Sequence, residues 1–416
     1  MLNRIRTTYH EYPSVFWVLV GSSFIDRIGG TMIQPFFALY ITQKFQVGMT
    51  QAGVLLGIFS ISGLVGSMIG GAITDKFGRK GMVLFGLVFS ALSSVSMGLV
   101  SELSIFYVLA VVVGLLSSVA DPAHHAMVAD ILPEEQRAEG FGVMRVAGNL
   151  AWIIGPTIGG LVASRSYLAV FILDAITSII TAFIVFRVIP ETKPEVTEEQ
   201  KTEKLLDTFK GYRKVFLDRP YIAYILTSMI MLLVYLQMYN TLSVFLRDVH
   251  GVPPQGYGLL LSLDAGVVVL LQFWVTRKVS KRPPLLMLAL GTLFYMIGFS
   301  MYAFVGTYAL FITAILIITI GEMIVVPVGQ AVAARFAPDD MRGRYLAFYG
   351  LAWALPSAVG PAAAGFVLDN YQPELVWILA GILSAVAIVG YLGLHARLRD
   401  RFQPQNMAAE KKAELS

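Results

Sequence analysis

Cysteine is absent from this chain of 416 residues, and charged residues make up only 14% of it. The lack of cysteine excludes disulfides and thiolate metal sites, and it leaves nothing from which to infer a redox compartment. A soluble domain carries roughly 25% charged residues, so this chain has too few charges to cover an aqueous surface. Because 56% of its residues are hydrophobic, lipid is expected to be its main solvent.

Three motifs of enzymes and pumps are also missing. The chain has no HExxH zinc motif, no GxSxG nucleophile motif and no GxxxxGKS/T nucleotide loop. A membrane-embedded enzyme is therefore disfavoured, and so is a pump driven by nucleotide hydrolysis. An ion gradient remains as the source of energy.

Long apolar runs occupy almost the whole chain. A helix that crosses the hydrocarbon core of a bilayer needs about 20 apolar residues. Twelve such runs, numbered here as spans 1 to 12, cover residues 14–41, 50–73, 81–100, 104–128, 140–164, 167–188, 221–246, 255–275, 284–304, 308–332, 345–368 and 375–394. None shows the period-two alternation of a barrel strand, and unpaired backbone groups cannot face lipid. The predicted fold class is therefore an all-α polytopic membrane protein.

Lysine and arginine are distributed unevenly among the loops. Most lie in alternate loops, at residues 76–80, 137, 193–219, 277–282, 335–344 and 397–401. The intervening loops hold only Lys44, Arg165 and Arg247. Positive charge is retained on the cytoplasmic side, so both termini and the central linker are predicted to be cytoplasmic. The net charge of +4 is thus explained by topology and not by nucleic-acid binding.

The two halves of the chain repeat one another. An offset of 205 residues superposes Pro122 on Pro327, Arg137 on Arg342, and Gly155-Pro156 on Gly360-Pro361. Six spans per half return the chain to its starting side, so the repeats are parallel and a substrate site is expected between them. The predicted domains are an N-terminal six-helix bundle at 1–190, a cytoplasmic linker at 191–219, a C-terminal six-helix bundle at 220–395 and a cytoplasmic tail at 396–416.

The loop between spans 2 and 3 has the sequence GGAITDKFGRK at residues 70–80. It resembles the signature cytoplasmic loop of the major facilitator superfamily, and the whole membrane part of the chain resembles its twelve-helix drug:proton antiporters. The resemblance implies a conformational switch formed by Gly71, Asp75, Gly78, Arg79 and Lys80. In the family, the aspartate matching Asp75 sits near the N-terminal end of the eleventh helix, where the helix dipole favours negative charge.

Span 5 contains AWIIGPTIGG at residues 151–160, similar to a motif of exporters in that superfamily. Small residues permit close helix packing and a proline removes a backbone hydrogen bond. Gly155, Pro156, Gly159 and Gly160 are therefore expected to let the helix bend and seal. Ordinary small-residue packing is the alternative, because the second half carries its own Gly-Pro pair.

Seven residues that are charged at neutral pH lie inside the predicted spans and away from their ends: Asp26, Arg27, Asp121, Arg145, Asp174, Asp264 and Glu322. A charge at a helix centre costs roughly 2.5 to 3.5 kcal/mol, so such residues usually pair or carry function. Asp26 lies about 18 Å into span 1, and drug antiporters of this group often have an acidic residue in that helix. Asp26 is the predicted proton-coupling residue, with Glu322, Asp264 and Asp121 as secondary candidates; a structural ion pair is the alternative. The arginine that the family usually has in span 4 is absent.

Polar and aromatic side chains in spans 1, 5 and 7 mark a predicted substrate cavity. Methionine and aromatic residues accommodate apolar compounds of varied shape. The predicted cavity residues are Met32, Gln34, Phe36, Arg145, Asn149, Tyr235, Gln237, Tyr239 and Asn240. A gating or structural pair with Asp121 is the alternative role for Arg145.

The sequence therefore predicts a secondary transporter and not an enzyme. The resemblance implies proton-coupled efflux of lipophilic or cationic drug-like compounds by alternating access. Uptake or facilitated exchange of a defined metabolite is the alternative. The expected partners are a small-molecule substrate, protons and the lipid bilayer, without nucleic acid, metal or cofactor. The chain is expected to act as a monomer in the inner membrane.

Overall fold

The protein is all-helical in the residues that the structure, a computed structural model, describes: 11–193, 213–338 and 341–399. The first half has α-helices at Ser14–Ile33, Phe37–Phe45, Met49–Phe77, Arg79–Leu99, Leu103–Ser117, Asp121–Ile131, Glu134–Ala163 and Tyr167–Val188. The second half has them at Arg219–Tyr235, Thr241–His250, Pro254–Val279, Pro284–Met301, Tyr308–Phe336, Arg342–Asn370 and Leu375–Leu398. The all-α prediction is confirmed, and each predicted span coincides with a helix or a helix pair.

Eleven of the described helical segments are long and apolar enough to cross a membrane, and they correspond to spans 2 to 12. The remaining one, span 1, carries the charged residues Asp26 and Arg27, which lower its apolar character. Several helices continue past the predicted ends; span 5, for example, begins at Glu134 and not at residue 140. Helices continue into the polar boundary region, where an apolar run no longer marks them.

Three spans are interrupted by a short 3-10 turn: span 1 at Gln34–Phe36, span 4 at Ser118–Ala120 and span 7 at Leu236–Met238. In span 1 the turn contains Pro35, whose ring nitrogen cannot donate a helix hydrogen bond. In span 4, Pro122 is the second residue of the next helical segment, Asp121–Ile131. Spans 1 and 7 are equivalent in the two halves, so this break is part of the repeat.

The first compact unit comprises residues 11–193 together with residues 242–265. Within it, span 1 packs on spans 5 and 6, span 3 on spans 4 and 6, and span 2 on span 4. The contact between spans 2 and 4 depends on glycine: a Cβ at Gly66 or Gly70 would collide with the backbone of Leu115 or Val119. Such small residues let membrane helices approach closely.

The second compact unit comprises residues 213–241, 266–338 and 341–399. Span 7 packs on spans 11 and 12, and span 9 packs on spans 10 and 12. These pairings are the ones made by spans 1 and 3 of the first unit, shifted by six helices. The structure thus repeats the internal symmetry of the sequence. The division into domains at residues 190 and 220 stays a prediction.

Candidate functional site

A cavity of about 470 Å³ lies within the first unit, between spans 1, 3, 4, 5 and 6. The ionisable residues that line it are Asp26, Arg27, Asp121, His124, His125 and Arg145. Such groups are costly inside a membrane unless they pair or face a polar cavity. The ionisable side chains of three helices, spans 1, 4 and 5, therefore meet in one place that small molecules and protons can occupy.

Asp26 links this cavity to a row of serines. Ser178 of span 6 donates a hydrogen bond to Asp26 Oδ1 at 2.8 Å. The Ser178 and Ser90 hydroxyls are 3.5 Å apart, which connects span 3 to the same group. These partners are neutral, and the basic group whose charge acts on Asp26 is the adjacent Arg27. The Asp26 carboxyl can therefore change protonation state without breaking an ion pair.

Arg27, Asp121 and Arg145 line the cavity without a side-chain hydrogen bond or ion pair among the described residues. Arg27 lies against Gly148, where an added Cβ would be 3.9 Å from its Nε. Gly148 and Arg145 are three residues apart on span 5, so they share a face of that helix. Asp121 is within electrostatic reach of Arg27 and His125. The cavity thus holds charges that remain available to a substrate.

The two histidines differ in their contacts. His124 Nε2 is 2.7 Å from the hydroxyl of Ser23 in span 1, so its ring is fixed between spans 1 and 4. His125 is exposed to the cavity and packs against Phe141 of span 5. Both histidines lie in the helix Asp121–Ile131, which follows the 3-10 turn of span 4.

The other two predicted coupling residues lie outside this cavity. Asp264 is in span 8, in the part that belongs to the first unit, and is only 4% exposed. Glu322 is in span 10 of the second unit and is half-buried. Of the four predicted carboxylates, the cavity therefore brings together Asp26 and Asp121.

The predicted substrate residues of span 1 have different environments. Met32 and Phe36 are buried, at 3% and 1% exposure, whereas Gln34 is exposed. Phe36 packs edge-on against Tyr257 of span 8 within the first unit. Asn149 of span 5 is half-buried and is not among the residues that line the cavity.

The predicted substrate residues of span 7 belong to the second unit and surround its 3-10 turn. Tyr235 stacks on Tyr295 and shares a hydrogen bond with Tyr239. Gln237 donates to the backbone oxygen of Leu233, and Asn240 donates to that of Leu236. These amides therefore satisfy backbone groups that the broken helix leaves open.

The glycines of the exporter-like motif form the contact face of span 5. A Cβ on Gly155 would collide with Thr31 of span 1, and one on Gly159 with the backbone of Met32. A Cβ on Gly160 would lie 2.8 Å from the backbone oxygen of Pro254, where span 8 begins. Pro156 lies inside an unbroken helix. The motif thus packs span 5 against two neighbours.

The described part of the predicted switch, Gly78 to Lys80, forms the N-terminal end of span 3. Gly78 has φ of +91°, which favours glycine, and a Cβ there would lie 2.6 Å from Glu191 Oε2. Glu191 accepts from the backbone N–H of Arg79 at 2.8 Å and from that of Lys80 at 3.2 Å. Arg79 pairs with Asp130 of span 4 at 3.1 Å. The surroundings of Gly71 and the side chain of Asp75 lie outside the described residues.

Glu191 is a residue that sequence reasoning missed. Burial tends to raise the pKa of its carboxyl, but hydrogen bonds from four backbone N–H groups outweigh that effect and hold the pKa below its usual value. It follows span 6 in the chain and lies 112 positions from Arg79, so no local pattern indicated this contact.

Comparison with known proteins agrees with this architecture. The family model of the Major Facilitator Superfamily matches residues 19–361 and 320–416. A Na(+), Li(+), K(+)/H(+) antiporter of Planococcus maritimus is 26% identical over 374 residues, covering 82% of this chain and 87% of that protein. Multidrug resistance protein MdtH of Salmonella paratyphi C is 26% identical over 398 residues, covering 94% and 92%.

The fold also matches that of a solved transporter. The crystal structure of the nucleoside transporter NupG superposes with a TM-score of 0.79 at 13% identity, covering 92% of this chain and 100% of that one. At this identity the likeness concerns the fold alone.

Proposed function

This chain belongs to the major facilitator superfamily and is a multi-pass membrane transporter, not an enzyme, and from that premise we propose that it exports lipophilic or cationic drug-like compounds in exchange for protons. The proposed cycle is alternating access, in which the two halves expose a central site to each side of the membrane in turn. Uptake or facilitated exchange of a specific metabolite is the second candidate.

The observation that carries the proposal is the position of Asp26 in the cavity of the first unit, bonded to the neutral Ser178. A carboxylate there attracts a cationic compound when ionised and loses that attraction when it takes up a proton. Proton and substrate therefore exclude one another at the same group. Exchange transport requires this mutual exclusion, because the transporter then carries the substrate in one direction and the proton in the other.

Asp121 is the second candidate for the same role, since it lines the same cavity and faces Arg27 and His125. Asp264 and Glu322 are candidates for further coupling steps. The cavity residue Arg145 and the substrate residues of span 7 are proposed to contact the substrate.

Export is favoured over uptake by the exporter-like motif of span 5, whose glycines contact spans 1 and 8. A relative with the name multidrug resistance protein and another with the name antiporter support the same direction. Asp75, Gly78, Arg79 and Lys80 are proposed as the switch, with both termini in the cytoplasm, in the inner membrane, and with the chain acting as a monomer.

The test is transport of ethidium, a lipophilic cation, by the full chain in proteoliposomes with an imposed pH gradient. Asp26→Asn removes the titratable group but keeps nearly the same shape, so uphill ethidium transport should be lost while the protein stays folded. Asp26→Glu keeps a carboxyl and should preserve part of the activity. Asp248→Asn is the matched control, since this aspartate is exposed and pairs with its neighbour Arg247.

Uphill ethidium transport and substrate-induced proton release like those of the wild type, in a well-folded Asp26→Asn protein, would refute the role of Asp26. The coupling role would then pass to Asp121, Asp264 or Glu322. If ethidium moves only down its own concentration gradient, and an imposed pH gradient does not produce uphill transport, the facilitated-exchange alternative is favoured.

A further inference from the structure

A second carboxylate, Asp174 of span 6, is buried in the first unit at 5% exposure. The hydroxyl of Ser94 in span 3 donates a hydrogen bond to its Oδ2. On the other side it lies against Gly29 of span 1, where an added Cβ would be 2.6 Å from Asp174 Oδ1. No lysine, arginine or histidine among the described residues forms an ion pair with it. An ionised carboxylate with only a hydroxyl partner is costly in such a site.

Asp174 and Asp26 belong to one polar row through the bundle. Asp174 and Ser178 are four residues apart on span 6, so they share a face of that helix, and Ser178 bonds to Asp26. Ser94 and Ser90 are likewise four residues apart on span 3. The row thus runs between spans 1, 3 and 6, with one carboxylate at the cavity and the other about 6 Å further along span 6.

Spans 1, 3 and 5 pack against span 6, which carries Asp174. On span 1 the charge that acts on it is that of Asp26. Span 3 presents serines, while its basic residues Arg79 and Lys80 are at the opposite end of the helix. The arginine of span 5, Arg145, lines the cavity. Two negative charges in one low-dielectric site repel each other, so each carboxylate favours protonation of the other.

We propose that Asp174 is a second proton-binding residue whose protonation is coupled to that of Asp26. The inference rests on the proposed proton exchange at Asp26 and extends it. Each carboxylate takes up one proton and loses one negative charge, and the two titrate as a pair in two steps, not as independent groups. Transport would then draw on two protons, one bound by each carboxylate.

A purely structural role is the competing explanation, in which the Ser94–Asp174 bond only ties span 3 to span 6. Asparagine preserves a hydrogen bond to Ser94, so a structural role predicts that Asp174→Asn behaves like the wild type. A proton-binding role predicts the loss of a titrating group in the same variant. The two explanations therefore differ in a proton measurement and not in stability.

The experiment is infrared difference spectroscopy on the full chain in lipid, with pH steps that protonate buried carboxylates. The wild type should show one buried carboxylic acid carbonyl band that is missing in Asp174→Asn. In Asp26→Asn this Asp174 band should titrate at a different midpoint, because its charged neighbour is gone. Protons released on addition of ethidium should fall by about half in Asp174→Asn, since one of two coupled sites is lost.

Two serine variants and one conservative variant serve as controls. Ser94→Ala removes the donor and should shift the frequency of the Asp174 band. Ser93→Ala is its matched control, because Ser93 is equally buried but bonds to the backbone oxygen of Ser90. Asp174→Glu keeps a titratable group and should retain a band, so the test stands even where the asparagine variant fails to fold.

A full set of carboxylic bands and an unchanged proton count in Asp174→Asn would overturn this inference alone, provided that Asp26→Asn abolishes uphill ethidium transport. Uphill transport in Asp26→Asn would instead refute the proposed role of Asp26, whatever the spectra of Asp174 show. Identical spectra for Ser94→Ala and Ser93→Ala would also overturn the inference, because Ser94 would then not contact a titrating carboxyl.

Discussion

Replacing Gly159 by alanine tests the packing role of span 5. The added Cβ would collide with the backbone oxygen of Met32 in span 1 and would lie 2.8 Å from Met32 Cα, whereas ordinary contact begins at 3.4 Å, so spans 1 and 5 must separate by more than 0.6 Å. Overpacking of this kind costs about 1–3 kcal/mol. Alanine also favours a helix over glycine by up to about 1 kcal/mol, which offsets part of that cost.

Gly142 provides the matched control on the same helix, because an added Cβ there meets nothing within 4 Å. The helix-forming gain is common to Gly142→Ala and Gly159→Ala and cancels in their difference. The difference in stability between the two variants is therefore the steric cost alone, about 1–3 kcal/mol.

The assay is thermal unfolding of the purified full chain in detergent, with ethidium transport measured in parallel. Gly142→Ala should unfold at or above the temperature of the wild type, and Gly159→Ala clearly below it. Equal melting temperatures for the two variants would refute the close approach of spans 1 and 5. Normal stability with lost transport in Gly159→Ala would show that the motif acts in movement and not in packing.

Two further predictions concern topology and pH. Reporter fusions at Thr197 and Ser416 should both give a cytoplasmic signal, because the loops rich in basic residues are predicted to be cytoplasmic; a periplasmic signal from either would contradict the predicted topology. The pKa of Glu191 is lower in the folded protein than its usual value of 4.5, so its ionised carboxyl stabilises the folded state at pH values above 4.5. This stabilisation is lost as the pH falls through the lower pKa of the folded state. Glu191→Gln should therefore reduce thermal stability at neutral pH and have no effect in acid, whereas Glu102→Gln, which removes no cap hydrogen bond, should have none at either pH.

The sequence predicted the helices because each one must bury its own backbone hydrogen bonds in a long apolar run. It did not predict the 3-10 turns in spans 1, 4 and 7. Pro35 and Pro122 were visible in the sequence, but a proline inside a membrane helix is compatible with an unbroken helix, as Pro156 shows. Span 7 breaks without any proline, at a place where amides bond to the backbone.

Part of the site could be predicted from the position of a residue within its span. Asp26 was singled out by its distance into span 1 and by the family resemblance, and it does line a cavity that other ionisable groups share. The role of Asp174 depends on which helix faces it, since its partners Ser94 and Gly29 are 80 and 145 residues away in the chain. The spacing of Asp174 from Ser178 and of Ser90 from Ser94 was a usable signal, because each pair shares a helix face.

The first compact unit is discontinuous in the chain, since residues 242–265 complete it after an intervening stretch. This has a consequence for biogenesis. When the sixth span leaves the ribosome, the face of span 5 at Gly160 still lacks the segment around Pro254 that will cover it. The early bundle must therefore persist in the membrane with this face against lipid or a chaperone until the eighth span is inserted. A chain truncated after residue 193 would keep that face uncovered permanently.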